Sequence, residues 1–187
     1  MIKHYAGMKA EKSVTGEPLP KGGYVVKIEG ARVEEYSWGS VLVVAIDVAE
    51  GEYAGFFRRQ FDANLNEDKK WKGTFRLTIP DENSQYFASN KRVFNNFIYS
   101  LETSNNGYHF DWDETKLKGK FFGALYREKE FESNSGDIIT TTECGGSTDI
   151  ASIRSGDFRL PKDKLLERKP ADYNAFANVP ADDDLPF

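Results

Sequence analysis

Apolar and polar positions alternate from Tyr24 to Val33, with Tyr24, Val26 and Ile28 on one face and Val25, Lys27 and Glu29 on the other. That period of two predicts a strand with one buried face. Val41 to Val48 is apolar on both faces and rich in β-branched residues, the pattern of a central strand. Ser37-Trp38-Gly39-Ser40 lies between them as a turn, so the pair predicts a hairpin. A third strand is expected over Phe56 to Phe61, after the breaks at Gly51 and Gly55. Trp71 to Ile79 alternates cleanly: Trp71, Gly73, Phe75, Leu77 and Ile79 share one side, Lys72, Thr74, Arg76 and Thr78 the other, and Pro80 ends the run.

The period then changes. Phe87, Phe94, Phe97, Ile98 and Leu101 recur at helical spacing, predicting a helix over about 84–101, with Asp81 or Ser84 to cap it and Asn105-Asn106-Gly107 to stop it. Leu117 to Phe131 returns to the strand pattern, and Asn134-Ser135-Gly136-Asp137 turns it into a second hairpin with Ile138 to Glu143. Cys144-Gly145-Gly146-Ser147 is expected to break that strand, and Ile150 to Phe158 to add a short final one. This order predicts a mainly β chain: a five- or six-stranded, partly closed Greek-key barrel of the oligonucleotide/oligosaccharide-binding (OB) type, with one inserted helix. A β-sandwich carrying a helix is the competing architecture. The expected domain spans residues 1–164. Residues 165–187, with Pro170, Pro180 and Pro186 among scattered polar residues, read as a flexible linker and tip.

Composition narrows the function classes. The chain has 187 residues, 39% hydrophobic and 29% charged, and a mean hydropathy of −0.60. No run of residues approaches the roughly 20 apolar positions of a membrane span. The first residues lack an apolar signal core, so a cytoplasmic location is expected. One cysteine, Cys144, and two histidines, His4 and His109, exclude a disulfide framework and a Cys/His zinc site. No phosphate-binding glycine loop and no Gly-x-Ser-x-Gly elbow occurs. No cofactor and no resident metal is expected.

The net charge of −5 conceals an uneven distribution. Leu165 to Phe187 holds two basic residues against five acidic ones, whereas Phe56 to Ile79 holds six basic against three acidic. Local patches decide what a surface attracts. Aromatic residues make up 14% of the chain, high for so polar a sequence. Alternation from Leu117 to Tyr126 turns Leu117, Gly119, Phe121, Gly123 and Leu125 one way, assigned to the core, and Lys118, Lys120, Phe122, Ala124 and Tyr126 the other. Cations followed by rings on one strip suit a single-stranded nucleic acid, since phosphates need positive charge and unstacked bases need flat partners. Lys72 and Arg76 form a second basic face, with Arg58, Arg59, Lys69 and Lys70 near in sequence and interleaved with Phe57, Phe61 and Trp71. Candidate phosphate contacts are therefore Arg58, Arg59, Lys69, Lys70, Lys72, Arg76, Lys118 and Lys120. Candidate stacking residues are Trp38, Phe57, Trp71, Phe122 and Tyr126. Asp111-Trp112-Asp113-Glu114, with Asp137 or Asp149, is the one carboxylate group that suggests a divalent metal, and it supports a metal-dependent nuclease only weakly.

The sequence ends Asp182-Asp183-Asp184-Leu185-Pro186-Phe187 after its proline-punctuated tether. This ending resembles the acidic tip of bacterial and bacteriophage single-stranded DNA-binding proteins, in which several Asp residues precede a hydrophobic residue, Pro and a terminal Phe. Leu185 stands where Ile is more usual, and the match covers six residues. The helix-bearing insertion departs from the compact bacterial form and suggests a phage or mobile-element variant. The resemblance implies an OB-fold protein, not an enzyme, that coats single-stranded DNA in replication, recombination and repair. It also implies that Asp182 to Phe187 recruit replication and repair proteins, and it is compatible with a homo-oligomer. The alternative class is a phage accessory or structural adaptor whose β domain binds protein or carbohydrate.

Overall fold

A computed structural model describes residues 16–167, so the acidic tip lies outside the described residues. Five strands form one antiparallel sheet: β1 (Gly22–Tyr36), β2 (Gly39–Val48), β3 (Thr74–Thr78), β4 (Phe121–Glu132) and β5 (Ile138–Thr148). Their order is β3-β2-β1-β4-β5. The sheet curls until its two end strands, β3 and β5, come into contact, giving the small, partly closed barrel that the sequence pattern predicts. Two bulges help it bend. Glu29 is the extra residue between Ile28 and Gly30 of β1, and Gly145 the extra residue opposite Leu125 and Tyr126.

Helix α2 (Phe87–Ser104) is inserted between β3 and β4, as its apolar spacing predicts. It drives Phe94, Phe97 and Leu101 into the barrel against Phe75 and Phe122. Inward residues of β1, β2 and β3 complete the core: Val26 and Ile28, Leu42, Val44 and Ile46, and Phe75 and Leu77. Among the described residues no helix is long and apolar enough to cross a membrane.

Four local expectations are corrected. Phe56 to Phe61 is not a strand but the start of helix α1 (Phe56–Ala63). The buried carboxylate of Asp47 accepts the Phe57 and Arg58 amides at 2.9 and 3.3 Å and the Val48 amide at 2.9 Å, so a β2 side chain satisfies the helix N-terminus. Phe56, Phe57 and Gln60 then face inward at helical spacing. Cys144 to Ser147 continues β5, because the bulge at Gly145 absorbs the irregularity instead of ending the strand. Ile150 to Phe158 forms no strand. Asp149 caps helix α3 (Ile150–Ser155) by accepting the Ser152 amide at 2.9 Å.

The fourth correction concerns β4. Phe122, Ala124 and Tyr126 face the core, opposite to the expectation. Leu117 is also in the core, but it belongs to a 3-10 turn, Glu114–Leu117, and Gly119 then takes φ 83° before β4 begins. Parity counted from Leu117 does not survive that turn. The strand's other face is covered as well: a Cβ on Gly123 would lie 2.5 Å from Ile153 of α3. Gly123 is therefore small to admit a helix outside the barrel.

After α3 the chain runs back along the edge of β4 that β1 leaves free. Lys164 bridges Lys129 in parallel, donating to the Glu128 carbonyl and accepting the Glu130 amide, each at 2.9 Å. Asp163 pairs there with Lys21 at 2.5 Å. This segment covers backbone groups that would otherwise present an open edge.

Candidate nucleic-acid interface

The bulge at Glu29 decides what the outer face of the sheet presents. Ahead of it, Val26 and Ile28 point inward; beyond it, Arg32, Glu34 and Tyr36 point outward. Register then aligns Arg32 with Val43 of β2, and Val43 with Arg76 of β3. Glu34 stands one step along, opposite Val41. Val41 and Val43 are buried at 4% and 1% exposure although neither belongs to the barrel core, so the long side chains around them provide cover.

Those side chains form one network. Glu34 Oε1 accepts from Arg32 Nε and Nη2 at 3.0 and 2.6 Å. Its Oε2 accepts from Arg76 Nη2 at 2.7 Å and from the Tyr36 hydroxyl at 2.5 Å. Arg76 Nη2 also donates to the Tyr36 oxygen at 2.7 Å. The Tyr36 hydroxyl, then Arg76 and Arg32, hold the Glu34 pKa down at about 2, and the same carboxylate raises that of Arg76. The Tyr36 ring lies nearly parallel to Trp38, with centroids 5.2 Å apart and planes at 12°. Trp38, at the tip of the β1–β2 hairpin, is 64% exposed and offers a free ring face.

Arg76 also borders a cleft of about 560 Å³ along the line where β3 approaches β5. Lys72 and Thr74 continue its β3 side, and Arg127 and Lys129 stand on the other. Arg127 binds Glu143 at 2.7 Å and Lys129 binds it at 2.9 Å. Burial works against the Glu143 carboxylate, yet hydrogen bonds from Lys129 and Arg127 keep its pKa below the ordinary value. One anion is thus shared by two cations, and Lys72 has no ion-pair partner among the described residues. Rings and cations follow one another from Trp38 through Arg76 into the cleft.

The sequence-predicted residues divide accordingly. Arg76, Lys72 and Trp38 stand on this surface. Lys70 and Lys72 line an adjoining recess of about 340 Å³ beside α1. Arg58 lies over the Trp71 ring at 5.0 Å, and Lys69 over Phe61 at 4.6 Å. The Trp71 indole donates to the Ile46 carbonyl at 3.0 Å, so that half-buried ring also holds the start of β3. Arg59 donates to the Ala54 carbonyl and tethers the turn ahead of α1.

Three stacking candidates are corrected: Phe57, Phe122 and Tyr126 are 6%, 0% and 3% exposed and lie in the core, where no base reaches them. Lys118 and Lys120 precede β4 and do not form a strip with those rings. The Lys120 carbonyl accepts the Ile28 amide at 2.8 Å, its ammonium sits 4.4 Å from the Tyr108 ring centre, and neither lysine borders the cleft. Cys144 is buried, and desolvation pushes its thiol up to about 12, consistent with packing. In the acidic loop, Lys116 pairs with Asp111 and, at 3.5 Å, with Asp113. Among the described residues no three His, Cys, Asp or Glu side chains converge to hold a metal.

Sequence reasoning missed Arg32, Tyr36, Arg127 and Lys129. The signal for the first two was the run Arg32-Glu34-Tyr36-Trp38 at period two, hidden because a bulge shifts the parity of β1. Arg127 and Lys129 lie past Tyr126, beyond the Leu117 to Tyr126 strip that alternation picks out. Compared with known proteins, the chain matches no family model and no curated sequence.

Proposed function

We propose that this protein is a single-stranded DNA-binding protein, not an enzyme, that coats unpaired DNA during replication, recombination and repair in the cytoplasm of a bacterial cell. The observation that carries the reading is the position of Arg76. It joins the exposed Tyr36–Trp38 pair to the cationic cleft along β3 and β5, so phosphate contacts and a stacking ring lie on one continuous path. An OB-type barrel uses this part of its surface, the outer face of β2 and β3 and the β1–β2 and β4–β5 loops, for oligonucleotides. Stacking and phosphate contacts discriminate little between bases, so sequence preference is slight. The tip Asp182 to Phe187 serves protein partners: a terminal ring and carboxylate together fit an apolar pocket rimmed by Arg or Lys.

Titration with oligo-dT, followed by tryptophan fluorescence, tests the reading. Quenching that saturates at low salt and disappears at high salt supports it. Absence of quenching and of any electrophoretic shift favours the adaptor alternative, and magnesium-dependent strand cleavage would favour the nuclease.

A further inference from the structure

We infer that Arg32, Arg76 and Tyr36 form a phosphate site that Glu34 occupies in the free protein, so that a DNA strand binds there by exchanging its phosphate for the Glu34 carboxylate. The inference rests on the proposed function and deepens it. The geometry is that of an anion clamp. Two guanidiniums on different strands and one phenol converge, and both oxygens of a single carboxylate fill the space between them. Guanidiniums and a hydroxyl recognise phosphate oxygens through the same donors. The clamp sits on the outer sheet face next to the Trp38 platform, where a backbone would pass while its base stacks.

A permanent salt bridge is the competing role for Glu34. Its side chain is 24% exposed, and those of Arg32 and Arg76 are 66% and 46% exposed. Such pairs contribute little to stability in water, which makes them easy to open. Exchange has a distinct thermodynamic signature. When a phosphate displaces Glu34, the strand releases counterions, but the freed carboxylate attracts a cation in return. Part of the expected salt dependence is cancelled. The three side chains also never lie unpaired before binding, so the clamp is held ready in one geometry. Glu34 is in these terms a positioning residue that also moderates affinity.

The experiment is oligo-dT binding across a salt series for the full chain and for Glu34→Gln. Gln keeps the side-chain shape without the charge. The expected result is tighter binding at low salt and a plot of log affinity against log salt steeper by about 0.7. Arg32→Gln, on the exposed face and therefore not expected to unfold the barrel, should weaken binding and flatten that plot by a similar step. Weaker binding by Glu34→Gln, or an unchanged slope in both variants, overturns the inference while leaving the proposed function standing. Failure of the unmodified protein to bind oligo-dT overturns the proposed function itself.

Discussion

The Phe122 ring meets the Phe97 ring edge-on, with centroids 5.3 Å apart and planes at 88°. Strand β4 and helix α2 are joined at this contact, and both rings are 0% exposed. Phe122→Ala removes the β4 half of the joint and leaves a cavity against Phe75 and Phe97. The expected cost is about 3–5 kcal/mol, measured as a lower midpoint in urea unfolding. Affinity for oligo-dT, corrected for the folded fraction, should not change. A loss of affinity in the fully folded variant would place Phe122 at the interface after all.

How far the sequence reveals this protein depends on where parity is preserved. In β3 it is: Phe75 and Leu77 point inward and Arg76 outward, as alternation predicts. In α2 it is too, because the helical spacing of Phe94, Phe97 and Leu101 matches the buried stripe. Alternation fails at Phe122, since a 3-10 turn and a left-handed glycine intervene and both faces of β4 are covered. It fails at Arg32 and Tyr36 because a bulge inserts one residue. The helix at Phe56 depends on Asp47, nine residues upstream, and no local pattern announces a cap supplied by a neighbouring strand. Charge and aromatic content name the residue types available to a surface, while tertiary structure chooses the face that each one occupies.

Trp38 gives a sharper test of the interface than any lysine. Its ring is stacked on one side by Tyr36 and open on the other, so a base can add to the pile without rearrangement. Trp38→Ala should weaken oligo-dT binding by about 1–3 kcal/mol, the range for one stacked base. Trp38→Phe should retain most of the affinity while losing most of the fluorescence quenching, because the Trp71 indole is tied to the Ile46 carbonyl with its ring already facing Arg58, and Trp112 stacks on Phe94 away from the cleft. Equal affinity for the alanine variant and the unmodified protein would remove the hairpin tip from the binding path.

Glu34 should betray its surroundings by its titration. Its pKa is held near 2 by hydrogen bonds from Tyr36, Arg76 and Arg32, against an ordinary value of 4.5. A carboxylate depressed in the folded state favours that state above its ordinary pKa. The contribution is fully present above pH 4.5 and is lost as acidification proceeds through about 2. Carbon-detected NMR of the side-chain carboxyl should show a midpoint near the lower value in the free protein. In Arg76→Gln, Tyr36 and Arg32 still donate, so the midpoint should rise part of the way toward 4.5. An ordinary glutamate midpoint in the unmodified protein would mean that the guanidiniums do not hold the carboxylate in solution, and with it would go the clamp from which phosphate is proposed to displace it.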